Sequence, residues 1–320
     1  MRKEPRAGLA KVKWMAAVLA VSTFAHMCVG NFEHAARADE RSVPAKRVVS
    51  INLCTDQLVV DLVAREHIAG LSRLAADPVL SAVADRVDGI KLLLGRGEEV
   101  LALKPDVVLT TAYSTPEVVG LLRRIGVHVE VIDMAENLDG IRTAIRRVAK
   151  AVGEEARGES LISNFDQRIA AAAPRSTHRP TALAYQVNSL TAEPGGLIDT
   201  ALNAAGFQNV ARNHRLGPAG RLPLETLIAH PPDLVVLAND PEQFRTVMAD
   251  NLRHHAFRDL LARRRHVHVP MPLWLCGTPA IASAIEELSR ERASLMQASV
   301  RGVGAGTAGE DAGGASALER

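Results

Sequence analysis

Residues 98–109 read EEVLALKPDVVL, and residues 225–236 repeat the pattern as ETLIAHPPDLVV. At an offset of 127 residues the two copies share a glutamate, an alanine, a proline, an aspartate and a valine, and most other positions exchange one aliphatic residue for another. Each copy is typical of a short helix that begins at a carboxylate and ends at a proline, followed by an apolar, buried strand. One such unit in each half predicts two similar α/β lobes.

Strands and helices alternate around both copies. The predicted strands are residues 47–51, 67–72, 107–111, 128–133, 181–186 and 266–269, together with the strand inside the second copy. The predicted helices include one opened by Asp77-Pro78, one near residues 241–252 and a final helix over residues 279–298. This alternation indicates mainly parallel sheets covered by helices, so the predicted fold class is α/β with two Rossmann-like lobes.

Residues 138–174 separate the two halves and contain no convincing strand. Apolar residues recur at helical spacing up to Val152, and a second helical pattern follows Gly153. We interpret residues 154–173 as one long helix of roughly 30 Å, which would be a stiff connector. The predicted lobes are residues 39–137 and 175–298. Residues 299–320 are rich in Gly, Ala and Ser and are predicted to be a disordered tail.

The N-terminus is typical of a signal peptide over residues 1–38. Five basic residues precede the apolar run Trp14 to Ala25, which is too short to span a bilayer, and Ala36-Arg37-Ala38 offers an A-x-A site with cleavage after Ala38. A lipid anchor at Cys28 is disfavoured because Met27 stands where a small residue is expected. Cleavage removes six basic and two acidic residues, so the net charge falls from +2 to −2 and nothing favours nucleic acid as a partner.

Two cysteines outlast cleavage, Cys54 and Cys276, in a chain predicted to enter an oxidising compartment. The sequence leaves open whether they form a disulfide, two free thiols or soft metal ligands. His266 and His268 share one strand face, but three or four spaced ligands are not visible, so no metal site is predicted.

The sequence contains none of the motifs of covalent, phosphate-cradling or metal-hydrolytic enzymes, so we expect a protein that is not an enzyme and needs no cofactor. In open α/β sheets, ligands bind beyond the carboxyl ends of the strands. That rule selects turns at 52–56, 72, 113–115, 185–189 and 273–276, and within them five candidate ligand-binding residues: Asn52, Tyr113, Tyr185, Asn188 and Trp274. Tyr185 fits a core strand residue equally well, and the two asparagines could simply close their own turns.

Three arginines, Arg73, Arg96 and Arg221, are candidates for binding an anionic ligand, because guanidinium presents a fixed fork to carboxylate oxygens. Each is also explained as a solvated surface residue, and Arg221 is the preferred candidate.

Glu98 and Glu225 have two compatible interpretations. A carboxylate in a first helical turn complements the helix dipole by about 0.3 to 1 kcal/mol. Matched carboxylates on two similar lobes also fit a partner with two-fold symmetry.

Four features together resemble the periplasmic substrate-binding proteins of ABC importers for iron-siderophores and cobalamin. They are the segment RVVSIN from Arg47, the stretch ending in KPDVV, the long connecting helix and the segment PLWLCGTP from Pro272 to Pro279. The resemblance covers nearly all of residues 46–298. It implies two lobes joined by a single long α-helix, with a metal chelate held between them. It also implies a monomeric periplasmic receptor whose Glu98 and Glu225 dock onto arginines of the two permease subunits.

The resemblance leaves the chelate open. Few aromatic residues are present to cover a corrin, which places a ferric siderophore ahead of a corrinoid, with heme or another chelate behind. A periplasmic enzyme or chaperone that handles metal chelates is the alternative from another class, because a fold does not fix a function.

Overall fold

The computed structural model describes residues 44–114, 116–217, 220–238 and 247–306. The predicted signal peptide and its cleavage site, Thr115 and the first half of the helix predicted near residues 241–252 lie outside the described residues. The same holds for residues 307–320 of the predicted tail.

The N-terminal lobe is built on a parallel sheet of five strands in the order β3-β2-β1-β4-β5. Its strands are β1 Val48–Ser50, β2 Ile68–Ser72, β3 Leu92–Leu93, β4 Val107–Thr111 and β5 Val129–Ile132. Alternate residues of β4 face two different apolar clusters, with Val107 in one and Val108 in the other. Helices therefore cover both faces of the sheet, which explains why the repeated stretch is apolar throughout its strand rather than alternating.

The C-terminal lobe has a parallel sheet of four strands in the order β7-β6-β8-β9. Its strands are β6 Thr181–Tyr185, β7 Gln208–Asn209, β8 Leu234–Leu237 and β9 Arg265–His268. The strand of the first copy, β4, pairs with β1, and the strand of the second copy, β8, pairs with β6. The two copies therefore occupy equivalent places in two similar sheets, as the repeat predicts.

Ten α-helices lie within the described residues. They are α1 Leu53–Leu62, α2 Gly97–Ala102, α3 Pro116–Arg124, α4 Leu138–Val152, α5 Glu155–Ala172, α6 Leu197–Ala204, α7 Leu224–Ala229, α8 Asp250–Arg253, α9 His255–Arg263 and α10 Ile281–Gly306. None of the helices in these ranges is both long and apolar enough to cross a membrane.

The repeated aspartates perform the same task in both lobes. The Asp106 carboxylate accepts hydrogen bonds from the backbone N–H groups of Lys46 and Arg47, at 2.9 and 3.0 Å, just before β1. The Asp233 carboxylate accepts from the N–H and hydroxyl of Thr181, at 2.8 and 2.7 Å, where β6 begins. Each aspartate thus fixes the start of the strand that pairs with its own strand.

The connector consists of two helices, in agreement with the two helical patterns on either side of Gly153. Helix α5 is the predicted long helix, and α4 precedes it and packs against α1 with Ile141 and Ile145 fully buried. A turn with Gly153 in the left-handed region (φ 74°) separates the two, a conformation that glycine adopts without steric cost. One continuous apolar cluster extends from the N-terminal lobe through these helices to the C-terminal lobe.

Three local predictions were wrong. Asp77-Pro78 opens no α-helix, because the Asp77 carboxylate accepts from the Val79 N–H at 2.8 Å and closes a turn. The two-residue edge strands β3 and β7 were missed because such short segments carry no periodicity. Helix α10 continues to Gly306, so residues 299–306 of the predicted tail are helical, since extending a formed helix costs less than nucleating one.

The substitution Gly158→Ala should destabilise the protein, although alanine is the better helix former. A Cβ at Gly158 of α5 would lie 2.6 Å from the Cβ of Ala149 on α4, so the helices would have to separate. We expect a loss of about 1 to 3 kcal/mol in the free energy of unfolding, measured by urea denaturation.

The matched control is Gly120→Ala in α3, where the nearest heavy atom lies 3.9 Å from the added Cβ. This variant should be more stable than wild type by up to about 1 kcal/mol. Equal effects at the two glycines would show that the close approach of α4 and α5 does not govern stability.

Candidate functional site

The main candidate site is a cavity of about 480 Å³ at the carboxyl ends of the N-terminal strands, called here the N-lobe cavity. Residues that follow β1, β2, β3 and β4 line it, as the rule for parallel sheets predicts. Met134 lines it after β5, and Leu275 and Cys276 approach it from the segment after β9. Both lobes therefore contribute to this cavity.

The lining of the N-lobe cavity exposes apolar surface. Tyr113 is 82% exposed, Leu94 is 59% exposed and Leu275 is 40% exposed, and all three lie in its wall. Arg73, which is exposed and forms no ion pair within the described residues, lies in the same wall. An exposed apolar cluster beside a cation is the lining expected for a ligand with an apolar face and an anionic group.

Asn52 both lines the N-lobe cavity and caps α1, because its side-chain oxygen accepts from the Cys54 N–H at 2.9 Å. Asn52 therefore closes its own turn, as the turn interpretation predicts, and it also forms part of the cavity wall. Behind the wall lies Asp56, whose carboxylate accepts hydrogen bonds from the N–H and hydroxyl of Ser72. Desolvation by burial raises the pKa of Asp56 to about 7. Ser72 lines the cavity, so this buried carboxyl supports part of its wall.

A second cavity of about 450 Å³, the C-lobe cavity, is lined by Asn188, Ser189, Arg215 and Arg221 together with neighbouring backbone. Asn188 and Ser189 are both in the left-handed region, with φ of 60° and 56°. Asn188 is held there by a hydrogen bond from its N–H to the Asn251 side chain at 3.1 Å. Both arginines are exposed and form no ion pair within the described residues.

The predicted site residues fall into three groups. Asn52 and Tyr113 line the N-lobe cavity, and Asn188 and Arg221 line the C-lobe cavity. Tyr185 and Trp274 lie in the core instead. Arg96 lines neither cavity. Arg215 was missed, although it lies in the same irregular segment as the predicted Arg221, because only an exposed guanidinium group and no strand end marks either residue.

The ligand contacts predicted for Tyr185 and Trp274 require correction. Tyr185 is fully buried, packs its ring 5.2 Å from that of Phe257 and donates its hydroxyl proton to Ser189 at 3.0 Å. Trp274 is 3% exposed within the cluster shared by both lobes, and its indole N–H has no partner among the described residues. Scarcity of aromatic residues does not distinguish a cleft side chain from a core one, because both environments favour them.

Cys54 and Cys276 are joined in a disulfide, with their Cα atoms 5.2 Å apart, and both line the N-lobe cavity. No group of three or more potential metal ligands (His, Cys, Asp or Glu) occurs within the described ranges, and His266 and His268 are exposed.

Glu98 and Glu225 occupy the first turns of α2 and α7, on equivalent helices of the two lobes. Both are exposed, and neither forms an ion pair within the part of the chain that is described. The neighbouring Glu99 instead completes the N-terminus of α2, accepting from the N–H of Leu94 at 2.9 Å. Glu98 is therefore not needed to cap its own helix.

Comparisons with known proteins agree with this architecture. A family model described as periplasmic binding protein matches residues 48–264. A cobalamin-binding protein of Halobacterium salinarum is 26% identical over 196 residues, which are 60% of this chain and 53% of that protein. The chain thus spans about half the length of the curated relatives it matches.

Two solved structures extend the comparison. The periplasmic heme-binding protein RhuT from Roseiflexus sp. RS-1 in apo form is 26% identical, with a TM-score of 0.63 and coverage of 77% of this chain and 97% of that one. The periplasmic vitamin B12 binding protein BtuF of Vibrio cholerae is 14% identical, with a TM-score of 0.58 and coverage of 79% and 98%. At 14% identity the second likeness shows the fold alone.

Replacing Asp56 with Asn should remove a pH dependence of stability between about pH 4 and pH 7. The pKa of Asp56 is about 7 in the folded protein and 3.8 ordinarily, so folding favours the protonated carboxyl. This stabilisation is complete below about pH 4 and is lost as the pH rises through 7. The free energy of unfolding of wild type should therefore fall relative to Asp56→Asn by about 1.4 kcal/mol per pH unit in that window.

Urea denaturation of both proteins from pH 4 to pH 8 measures this difference. A difference that stays constant across the range would contradict the assignment of a raised pKa to Asp56.

Proposed function

The chain belongs to the periplasmic binding protein family, of the type that includes iron-chelate, heme and vitamin B12 receptors, and on that premise we propose that it is the receptor of an ABC importer. It captures a metal chelate between its lobes in the periplasm, without chemical change, and delivers it to a permease dimer in the inner membrane. The observation that carries the proposal is the N-lobe cavity, to which both lobes contribute and which exposes apolar side chains beside an arginine that forms no ion pair within the described residues.

The lining favours an amphiphilic, anionic chelate. Leu94 and Leu275 offer apolar contact to the face of a flat ligand, and burying such surface contributes about 25 cal/mol per Å². Arg73 offers a partner for carboxylate oxygens. A tetrapyrrole that carries carboxylates satisfies both features, and the named ligands of the heme-binding and cobalamin-binding relatives are tetrapyrroles.

Tyr113 favours a ferric tetrapyrrole within that class. Its phenol is the only aromatic side chain in the lining of the N-lobe cavity among the described residues, and its 82% exposure leaves the hydroxyl free to approach a ligand. Phenolate oxygen is an established axial ligand of heme iron. A ferric siderophore is the second candidate, because aromatic cover is sparse and the C-lobe cavity has two exposed arginines, without ion pairs among the described residues, that suit an anionic chelate.

The two tyrosines of the chain provide a matched test with heme. Tyr113→Phe should weaken heme binding at least about tenfold, or about 1.4 kcal/mol, and change the visible spectrum of the bound iron. Tyr185→Phe should leave both unchanged, because Tyr185 is buried and lines neither the N-lobe nor the C-lobe cavity. Quenching of Trp274 fluorescence measures the affinity in each protein.

Thermal-shift measurements with heme, cobalamin and ferric siderophores then identify the ligand class. A ligand at 100 times its dissociation constant adds about 2.7 kcal/mol to stability. Stabilisation by a siderophore alone would reject the tetrapyrrole, and turnover of a bound chelate would reject the receptor in favour of an enzyme.

We further propose that Glu98 and Glu225 dock the receptor onto the two permease subunits. Their equivalent, exposed positions and lack of ion pairs within the described residues support this role. The double variant Glu98→Arg with Glu225→Arg should abolish uptake in cells while leaving ligand affinity within about twofold, because neither residue lines the N-lobe cavity or the C-lobe cavity.

The control is Glu117→Arg with Asp259→Arg, which makes the same change in charge at two other exposed carboxylates. Uptake should survive this change. Loss of affinity together with uptake in the Glu98 and Glu225 variant would show that these residues do not act by docking.

A further inference from the structure

Three consecutive residues of the C-terminal lobe, Cys276 to Thr278, contact the N-terminal lobe beside the N-lobe cavity and are here called the latch segment. Cys276 forms the disulfide with Cys54, which lies at the start of α1 in the N-terminal lobe. The Thr278 hydroxyl donates to the Gln57 side-chain oxygen at 2.9 Å, one turn further along the same helix. The latch segment is thus attached to one helix of the opposite lobe by a covalent bond and a buried hydrogen bond.

Gly277, the middle residue of the latch segment, packs directly against the N-terminal lobe. A Cβ added at Gly277 would lie 2.5 Å from the Ala135 Cβ and 2.7 Å from the Ala135 carbonyl oxygen. Only glycine therefore allows the latch segment to approach the chain after β5 this closely.

The disulfide lies where it can limit movement of the two lobes at the edge of the cavity. Both half-cystines line the N-lobe cavity, and the disulfide joins residues 222 positions apart in the sequence. The two sheets share no strand pairing, and α10 of the C-terminal lobe packs on the connector helix α5, with Arg168 and Glu286 paired at 2.7 Å. Movement of one lobe about the connector would therefore be restrained at the cavity edge by the disulfide.

We propose that the Cys54–Cys276 disulfide is a redox-sensitive latch that limits how far the lobes separate at the N-lobe cavity. It also sets the distance between Glu98 and Glu225, the residues proposed to dock; only this consequence rests on the proposed function. Reduction by an external dithiol, and reoxidation by the disulfide form of that dithiol through the reverse exchange, then switch the cleft between a restrained and a widened state.

The switch follows from ordinary thiol–disulfide exchange. Cys276 is fully buried, whereas Cys54 is partly exposed in the cavity wall, so an external thiolate attacks the Cys54 sulfur. A mixed disulfide forms at Cys54, and Cys276 leaves as a thiolate that takes up a proton. A second thiolate, from the same dithiol reductant, releases Cys54 as a thiol, and the reductant leaves as its own disulfide.

The test measures the distance between the lobes directly. Spin labels are attached at positions 98 and 225 through a non-cysteine side chain, and pulsed electron spin resonance records the distance distribution without ligand. The oxidised protein should give a narrow distribution. After reduction, with free thiols counted by mass spectrometry, the distribution should broaden and its mean should shift to longer distance.

Two variants sharpen the result. Cys54→Ser with Cys276→Ser should reproduce the widened distribution without any reductant. Thr278→Val removes the hydrogen bond to Gln57 but keeps the disulfide, so its distribution should stay narrow. An unchanged distribution on reduction would overturn the latch, even if heme binds as proposed. Unfolding of both the reduced protein and the double serine variant would also overturn it, because the bond would then be required for folding.

Discussion

Each lobe depends on one hydrogen-bonded constraint, an aspartate carboxylate that holds the start of the neighbouring strand. Asp106 accepts from the backbone that enters β1, and Asp233 accepts from the first residue of β6. Central parallel strands are buried on both faces, so side-chain alternation alone does not determine how they are aligned. A fixed carboxylate at the base of each pair defines that alignment, and the turns at the opposite ends of the strands then fall at defined positions.

The turns at the carboxyl ends of the strands line the cavities. They present exposed apolar side chains there. The turns after β1 to β4 meet the segment after β9 from the other lobe, so the N-lobe cavity has walls of different origin. Leu94, Tyr113 and Leu275 remain exposed there, at a cost in hydration that a bound chelate would offset. The disulfide and the packing of Gly277 bring those walls together at one edge.

Part of the candidate site could be predicted from the sequence, because the end of an apolar strand can be recognised where polar turn residues begin. The rule for parallel sheets selects Asn52, Tyr113 and Asn188, and all three line cavities. It does not separate them from Tyr185 and Trp274, because a residue at or after the end of a strand can point into the core as easily as toward solvent. Arg215 and Arg221 lie beyond the rule, in the irregular segment 212–222; Arg221 was selected for its guanidinium group, and Arg215 was missed.

By itself, the sequence determined the two α/β lobes, the long helix between them and the equivalence of Glu98 and Glu225, because a repeated helix-to-strand pattern imposes the same local structure twice. Only the tertiary structure decided that Cys54 meets Cys276, that the first connector helix packs against α1 and that two of the three aromatic candidates are buried. These outcomes depend on contacts between residues far apart in the chain, and periodicity carries no information about such contacts.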